Sequence, residues 1–146
     1  MTYYQPNTHV LVNSAGQRTN VRSRLLSVAG DQLLQADQSV AAPKNYLEDE
    51  LQRRLPGRPI VFMLVAHIAD PDGVLDDAIV PYKSTTLVPM GTIKIESIMD
   101  DNAARQQQIA FNPIPSGVPS IEPSADPLIQ ARKGVCYISS VGRRSR

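Results

Sequence analysis

The segment from Phe111 to the C-terminus constrains the fold most, because it joins a proline-rich stretch to a marked helix start. Proline lacks the amide hydrogen that helix interiors and strand ladders need, so we predict an extended arm at residues 111–126. Asp126 followed by Pro127 is typical of a helix start, since the carboxylate accepts free amides and proline tolerates the first helical position. The sequence therefore predicts a helix from Pro127 to about Ser140.

Upstream of the arm, the apolar pattern predicts antiparallel strands and one amphipathic helix. His9–Asn13 and Val21–Leu26 flank the turn sequence SAGQ, which indicates a β-hairpin. Ile60–Ala69 is a short run of branched apolar residues that favours a core strand, and Leu87–Met99 alternates between apolar and polar residues. The run KNYLEDELQRRL has apolar residues at helical spacing and is followed by Pro56-Gly57, so it predicts a helix.

Two further segments are predicted to be loops. Gly30–Ala42 shows no periodic apolar pattern. The acidic run Asp70–Asp77 is rich in oxygen ligands of the kind calcium takes, but it lacks the spacing and the terminal glutamate of an EF-hand, so a solvated loop is favoured. The four predicted strands would leave sheet edges unpaired, and such edges tend to find a partner.

Composition narrows the class of protein. The chain of 146 residues is long enough for one hydrophobic core, and its formal net charge of +1 provides no global field for nucleic acid or membranes. No apolar run is long enough to cross a bilayer, and the first residues lack the pattern of a signal peptide, so we expect a cytoplasmic protein. The single cysteine excludes an intrachain disulfide and any cysteine-rich zinc site.

Several motifs together resemble those of the haem catalases, and most closely the catalase-related peroxidase branch. They are NTHVLVNSAGQ, NYLEDELQRRL, IVFMLVAHIADPDG, LVPMGTIKIESI and IEPSADPLIQAR, with Phe111 before the last and Arg143 to Arg146 after it. The resemblance covers nearly the whole chain and maps onto the second half of the family's core. It implies an α+β fold in a single domain of residues 1–146. Half of an antiparallel β-barrel would occupy residues 1–110, and the arm and proximal helix would occupy residues 111–146.

The resemblance also implies a cofactor, a substrate and a set of site residues. Haem would be held by a tyrosine ligand at Tyr137, supported by Arg132, with Arg144 as a propionate partner and Phe111 and Leu128 as apolar contacts. The substrate would be hydrogen peroxide or an organic peroxide. The essential distal histidine of the family has no counterpart in the matched half, so we expect an incomplete enzyme.

The spacing around the tyrosine departs from the family pattern, in which the arginine and tyrosine are four residues apart. Here Cys136 is four residues after Arg132, and Tyr137 is five after it. In a regular helix Tyr137 would point about 140° away from Arg132, whereas Cys136 would lie within about 40°. A π-bulge near Gly134, a Cys136 thiolate ligand or loss of the site would each explain this. We favour Tyr137 as the metal ligand, because Arg144 keeps the family spacing from it.

Each candidate also has a purely structural interpretation. Tyr137 could be a partly buried side chain at a helix end, and Cys136 a small buried hydrophobe. His9 and His67 fall in predicted strands and are expected to be hydrogen-bonded rather than catalytic. Arg24 stands where many family members place a histidine that supports the proximal arginine.

A second function from a different class stays open. The chain could be a non-catalytic module for binding or assembly, whose half-barrel pairs with a second copy of itself or with a chain carrying the distal half. The charge pattern favours neither nucleic acid nor a membrane as a partner.

Overall fold

The computed structural model describes residues 1–114 and 117–145. Within them the chain forms one six-stranded sheet and a set of short and long helices. The strands are β1 (Tyr3–Tyr4), β2 (His9–Val12), β3 (Arg18–Ser27), β4 (Ile60–Ile68), β5 (Leu87–Ile95) and β6 (Ile121–Pro123), and the helices are α1 (Ala36–Ala41), α2 (Tyr46–Arg54), α3 (Asn102–Gln108) and α4 (Pro127–Arg144).

All strand pairs are antiparallel, and the strand order is β5-β4-β3-β2-β6, with β1 pairing near the C-terminal end of β3, the longest described strand. The predicted hairpin is confirmed as β2 and β3. Its turn depends on Asn13, whose Oδ1 accepts the amides of Ala15 and Gln17 at 3.0 and 2.9 Å, and on Gly16, which has a positive φ of 77°.

The sheet differs from the predicted half-barrel in two respects. It is open, since β5 and β6 form its two edges and no described strand joins them. It is also larger, because β1 and β6 add to the four predicted strands. Strand β6 lies inside the proline-rich segment and pairs with β2 at Leu11 and Ile121, so that segment is not extended coil throughout. Its Pro115 and Ser116 lie outside the described residues.

The helices confirm two predictions and correct a third. Helix α2 has the predicted position, and α4 begins at Pro127 as predicted but runs on to Arg144. The predicted loop Gly30–Ala42 is wrong at its end, where α1 forms; the Gln38 side chain accepts the Gln35 amide at 3.0 Å and stabilises its first turn. In the part of the chain that the structure describes, no helix has both the length and the apolar character needed to cross a membrane.

One face of the sheet, here called the covered face, lies under the loop of residues 69–86. Arg22 on β3 is buried there, and its two terminal nitrogens donate to the carbonyl oxygens of Val80 and Asp77 at 2.6 and 2.8 Å. Its guanidinium carbon lies 4.2 Å from the centre of the Tyr82 ring. These contacts fasten an irregular loop to the sheet.

The opposite face, here called the open face, is mostly apolar, although His9, Thr19, Ser23 and Ser27 also lie on it. Its strand register brings together Leu11, Val21, Leu25, Phe62, Leu64, Ala66, Ile68, Val88, Met90, Ile93, Ile95 and Ile121. Val21 and Ala66 are buried at its centre, but Met90 and Ile93 are exposed at its margin. Two shallow concavities of about 400 and 380 Å³ lie on it. Among the described residues, no helix packs extensively against this face, since the substantial helix contacts join α3 and α4.

Candidate functional site

Helix α4 carries all but one of the predicted site residues and is positioned by a buried polar cluster at its start. Asp126 caps the helix by accepting the Leu128 amide on Oδ1 at 2.9 Å. Its Oδ2 accepts from Asn7 Nδ2 at 2.8 Å, and Ser124 Oγ donates to the Thr8 carbonyl oxygen at 2.6 Å. Asp126, Asn7 and Thr8 are all buried. These bonds tie the helix start to the segment that leads into β2.

The helix turns one side towards the rest of the chain. Ile129 is 0% exposed and Ser140 is 1% exposed, and Cys136 is partly buried on the same side. Residues 127–144 are α-helical without interruption, including Gly134. The proposed π-bulge is therefore not found, and Arg132 and Tyr137 stay about 140° apart around the helix axis.

Tyr137 is 70% exposed, so the interpretation as a partly buried residue at a helix end is wrong. Cys136 lies within about 40° of Arg132 on the helix, as the spacing predicted. The arginine that should support the tyrosine is thus on the side of the cysteine. Leu128, the predicted apolar contact, lies about 180° from Tyr137 around the helix.

The two arginines of the last turn of α4 contact α3 instead of an open site. Arg144 donates to the Gln108 carbonyl oxygen at 2.9 Å, and Arg143 donates to the Ile109 carbonyl oxygen at 2.5 Å. These are the carbonyls at the C-terminal end of α3, where positive charge is favourable. Arg144, predicted as a propionate partner, therefore has a structural contact, and Phe111 is exposed.

The six candidates do not form one site. Leu128 and Arg132 lie within about 40° of each other on one side of α4, whereas Tyr137 lies on the other side, and the three residues line none of the concavities named here. As a set they do not fit a single haem group. Among the described residues, no cluster of three or more histidine, cysteine, aspartate or glutamate side chains could hold a metal ion either.

Both histidines lie in strands and are hydrogen-bonded, as expected. His9 Nε2 is 2.9 Å from the Pro113 carbonyl oxygen. His67 Nε2 is 2.6 Å from the Ser84 carbonyl oxygen, and its Nδ1 is 2.6 Å from an Arg24 nitrogen. These distances fit a hydrogen bond from Nε2 to the Ser84 carbonyl oxygen and one from Arg24 to Nδ1.

Two carboxylates of the acidic loop accept hydrogen bonds from backbone amides. Asp70 accepts the Lys83 amide at 2.7 Å, and Asp77 accepts the Ile79 amide at 2.9 Å. Sequence reasoning missed the polar contacts that this loop makes, above all the 2.6 Å hydrogen bond between Tyr82 and Thr8. No local pattern pointed to it, since the two residues are 74 positions apart.

Comparison with known sequences places the chain near the catalases, although no protein-family model matches it. It is 26% identical over 146 residues to a catalase-related peroxidase of Synechococcus elongatus, covering 99% of this chain and 42% of the relative. It is 30% identical over 130 residues to a catalase-related peroxidase of Mycolicibacterium paratuberculosis, covering 89% and 41%. With catalase T of Saccharomyces cerevisiae the identity is 27%, covering 90% and 26%.

Solved structures agree in fold. A fungal catalase superimposes with a TM-score of 0.75 and 23% identity, covering 90% of this chain and 28% of that one. Catalase A from Saccharomyces cerevisiae gives a TM-score of 0.77 and 20% identity, covering 96% and 31%. The chain spans less than half the length of the curated relatives it matches. It is therefore a relative of the catalases and catalase-related peroxidases, and it has the fold of a part of the catalase core.

Proposed function

We propose that this chain belongs to a catalase-type protein that decomposes hydrogen peroxide or an organic peroxide with haem as its cofactor. The match to a catalase-related peroxidase along 99% of the chain carries the proposal. The shared fold supports it, because the two catalase structures superimpose along 90% and 96% of this chain. The chain spans only part of each relative, so the sequence match alone does not assign the activity of those proteins to it.

Tyr137 is the ligand we propose for the iron. Its phenol is 70% exposed, so a planar group can reach it from outside, whereas Cys136 faces the interior of the chain. A tyrosine phenolate is an established axial ligand of ferric haem. Arg132 lies on another side of α4 and gives the phenolate no direct support. The proposal of haem binding therefore depends on the exposed Tyr137 and on the similarity to catalase-related peroxidases.

Titration of hemin into the purified chain, followed by visible spectroscopy, tests this assignment. We expect a saturable Soret shift that is lost in Tyr137→Phe and kept in Cys136→Ser, the matched control one residue away. A shift lost in Cys136→Ser but kept in Tyr137→Phe would assign the thiolate instead. No saturable shift, or one that neither substitution changes, would contradict haem binding at α4.

Catalase turnover by these 146 residues alone is expected to be negligible. Cleavage of the peroxide bond needs a base held within hydrogen-bond reach of the peroxide oxygens. Both histidines of the chain are held by hydrogen bonds in the sheet. With hemin bound, oxygen release measured at an oxygen electrode should not exceed that of free hemin. Turnover well above free hemin would show that another residue of this chain supplies the base.

A second candidate function is that of an assembly module, and the open face of the sheet favours it. A sheet with one apolar face is normally closed by a second layer. The described helices do not provide that layer, and the strand residues of this face carry no charge. The partner would be a second copy of the chain or a chain carrying the remainder of a catalase core.

Size-exclusion chromatography with light scattering tests this candidate. We expect the wild-type chain to be larger than a monomer, and Ile93→Lys on the open face to dissociate it. Thr92→Lys is the matched control, because it places the same charge on the opposite face of β5. A well-folded wild-type monomer, or equal effects of the two variants, would count against a role of this face in assembly.

A further inference from the structure

Helix α4 has a second apolar side that is exposed in the described structure. Leu128, Ala131, Val135, Ile138 and Gly142 recur at alternating intervals of three and four residues, the spacing of a seam between two helices. We call these five residues the outer seam. Val135 is 65% exposed and Ile138 is 70% exposed. The opposite side, with Ile129, is already buried against the chain, so α4 is apolar on both sides.

Two glycines of α4 lie on or beside the outer seam. Gly142 belongs to it, and Gly134 borders it. A Cβ atom added at either position would meet no atom within 4 Å, so neither glycine is required by packing inside the described structure. Each costs about 1 kcal/mol of helix stability relative to alanine. Because glycine has no Cβ, the backbone of a partner helix on the seam could approach α4 closely at these two positions.

The positive charge of α4 favours an acidic partner. The helix contains four basic residues and no acidic one. Arg132 borders the seam, because it follows the seam residue Leu128 by four positions. The ion pairs between described residues include neither Arg132 nor Lys133. A second α4 would bring positive charge against positive charge. A lipid surface is disfavoured because three of the positions on this side are alanine or glycine, which bury little apolar area.

We propose that the outer seam of α4 docks an amphipathic helix of a partner polypeptide whose own apolar seam is flanked by aspartate or glutamate. The apolar side chains of the partner would bury Val135 and Ile138, its backbone would approach over the two glycines, and its carboxylates would face Arg132. This surface is separate from the open face of the sheet. It requires neither haem nor the proposed peroxide chemistry.

Binding of a labelled synthetic peptide to the full chain, measured by fluorescence anisotropy, tests the proposal. The probe is a helical peptide of three heptads with leucine at the a and d positions and glutamate at e and g; the control peptide carries lysine at e and g. We expect the glutamate peptide to bind with an affinity that falls as salt is added, and the lysine peptide to bind at least tenfold more weakly. Ile138→Glu should weaken binding of the glutamate peptide at least tenfold, whereas the matched control Ile79→Glu, also at an exposed isoleucine, should not.

A second variant separates docking from simple helix stability. Replacing Gly134 and Gly142 together by alanine should raise the melting temperature of the chain and still weaken peptide binding several-fold. Unchanged binding in this variant, equal binding of the two peptides, or no effect of Ile138→Glu would each overturn the proposal. So would preferential binding of the chain to phosphatidylglycerol vesicles through Ile138, which would identify a lipid surface. Self-association lost in Ile138→Glu, without peptide binding, would identify a second copy as the occupant and would equally overturn it.

Discussion

The two faces of the sheet differ in what closes them, and the difference does not follow their polarity. The covered face carries Arg22, Arg24 and His67, yet these side chains are held by hydrogen bonds to the loop of residues 69–86 or to each other. The open face carries no charged strand residue, yet Met90 and Ile93 remain exposed. Burial in this chain is therefore decided by which segments return to the sheet, and the apolar pattern alone does not reveal it.

The comparison also shows two kinds of stabilisation. The covered face depends on a few polar contacts made by an irregular loop, so single substitutions there should be costly. On the open face such contacts gather at His9, which is within hydrogen-bond distance of the Gln5 side chain and the Pro113 carbonyl oxygen. Single substitutions away from His9 should leave the fold intact and change only association. The predictions below test this division, beginning with the largest effect.

Replacing Arg22 by methionine should destabilise the chain most, by about 2–4 kcal/mol, because the Val80 and Asp77 carbonyl oxygens lose their charged donor and the Tyr82 ring loses its cation. Urea unfolding followed by circular dichroism measures the change. Arg18→Met is the control on the same side of β3; its exposed pairing with Glu122 should be worth less than about 1 kcal/mol. Equal losses in the two variants would contradict the special role of the covered face.

Asp126→Ala should cost less, about 2 kcal/mol, since α4 loses its cap and the buried Asn7 amide loses an acceptor. We expect α4 to exchange its amide hydrogens faster while the sheet stays protected, which hydrogen exchange with mass spectrometry would detect. Asp101→Ala is the control, because Asp101 precedes α3 without a side-chain capping bond. Uniformly faster exchange in Asp126→Ala would instead mean that the polar cluster holds the whole fold.

Glu96→Gln should have the smallest effect and should depend on pH. The hydrogen bond from Lys94 and its positive charge hold the pKa of Glu96 below the ordinary value of 4.5. A carboxylate with a lowered pKa stabilises the fold above that ordinary value, and the contribution is lost as the pH falls through the lowered pKa. The melting temperatures of wild type and Glu96→Gln should thus differ slightly at pH 7 and converge in acid. A difference that grows in acid would contradict this pairing.

Sequence reasoning recovered the elements whose signals are local. The alternation in β5, the turn after Asn13 and the Asp126-Pro127 start of α4 each lie within a few residues, so no distant contact was needed to read them. It failed for β6, which forms in a proline-rich segment because β2 offers an edge at Leu11. It also missed the loop that closes the covered face.

The candidate site shows the same limit. The sequence predicted the angular conflict between Arg132 and Tyr137, since helix geometry fixes it once α4 is regular. It did not predict that Arg144 would contact Gln108, because that contact depends on α3 folding beside the end of α4. Side chains whose roles come from the position of another element could not be assigned from spacing alone.

The exposure of the open face around Ile93 can be tested most directly with tryptophan fluorescence, because the chain contains no tryptophan of its own. Ile93→Trp places a single reporter on the open face, and Thr92→Trp places one on the opposite side of the same strand. At concentrations where light scattering shows a monomer, we expect Ile93→Trp to emit at the wavelength of a water-exposed indole. Its emission should shift to the blue as concentration rises, while that of Thr92→Trp stays constant. Blue-shifted emission of Ile93→Trp in the monomer would contradict the account, because the chain itself would then cover the face.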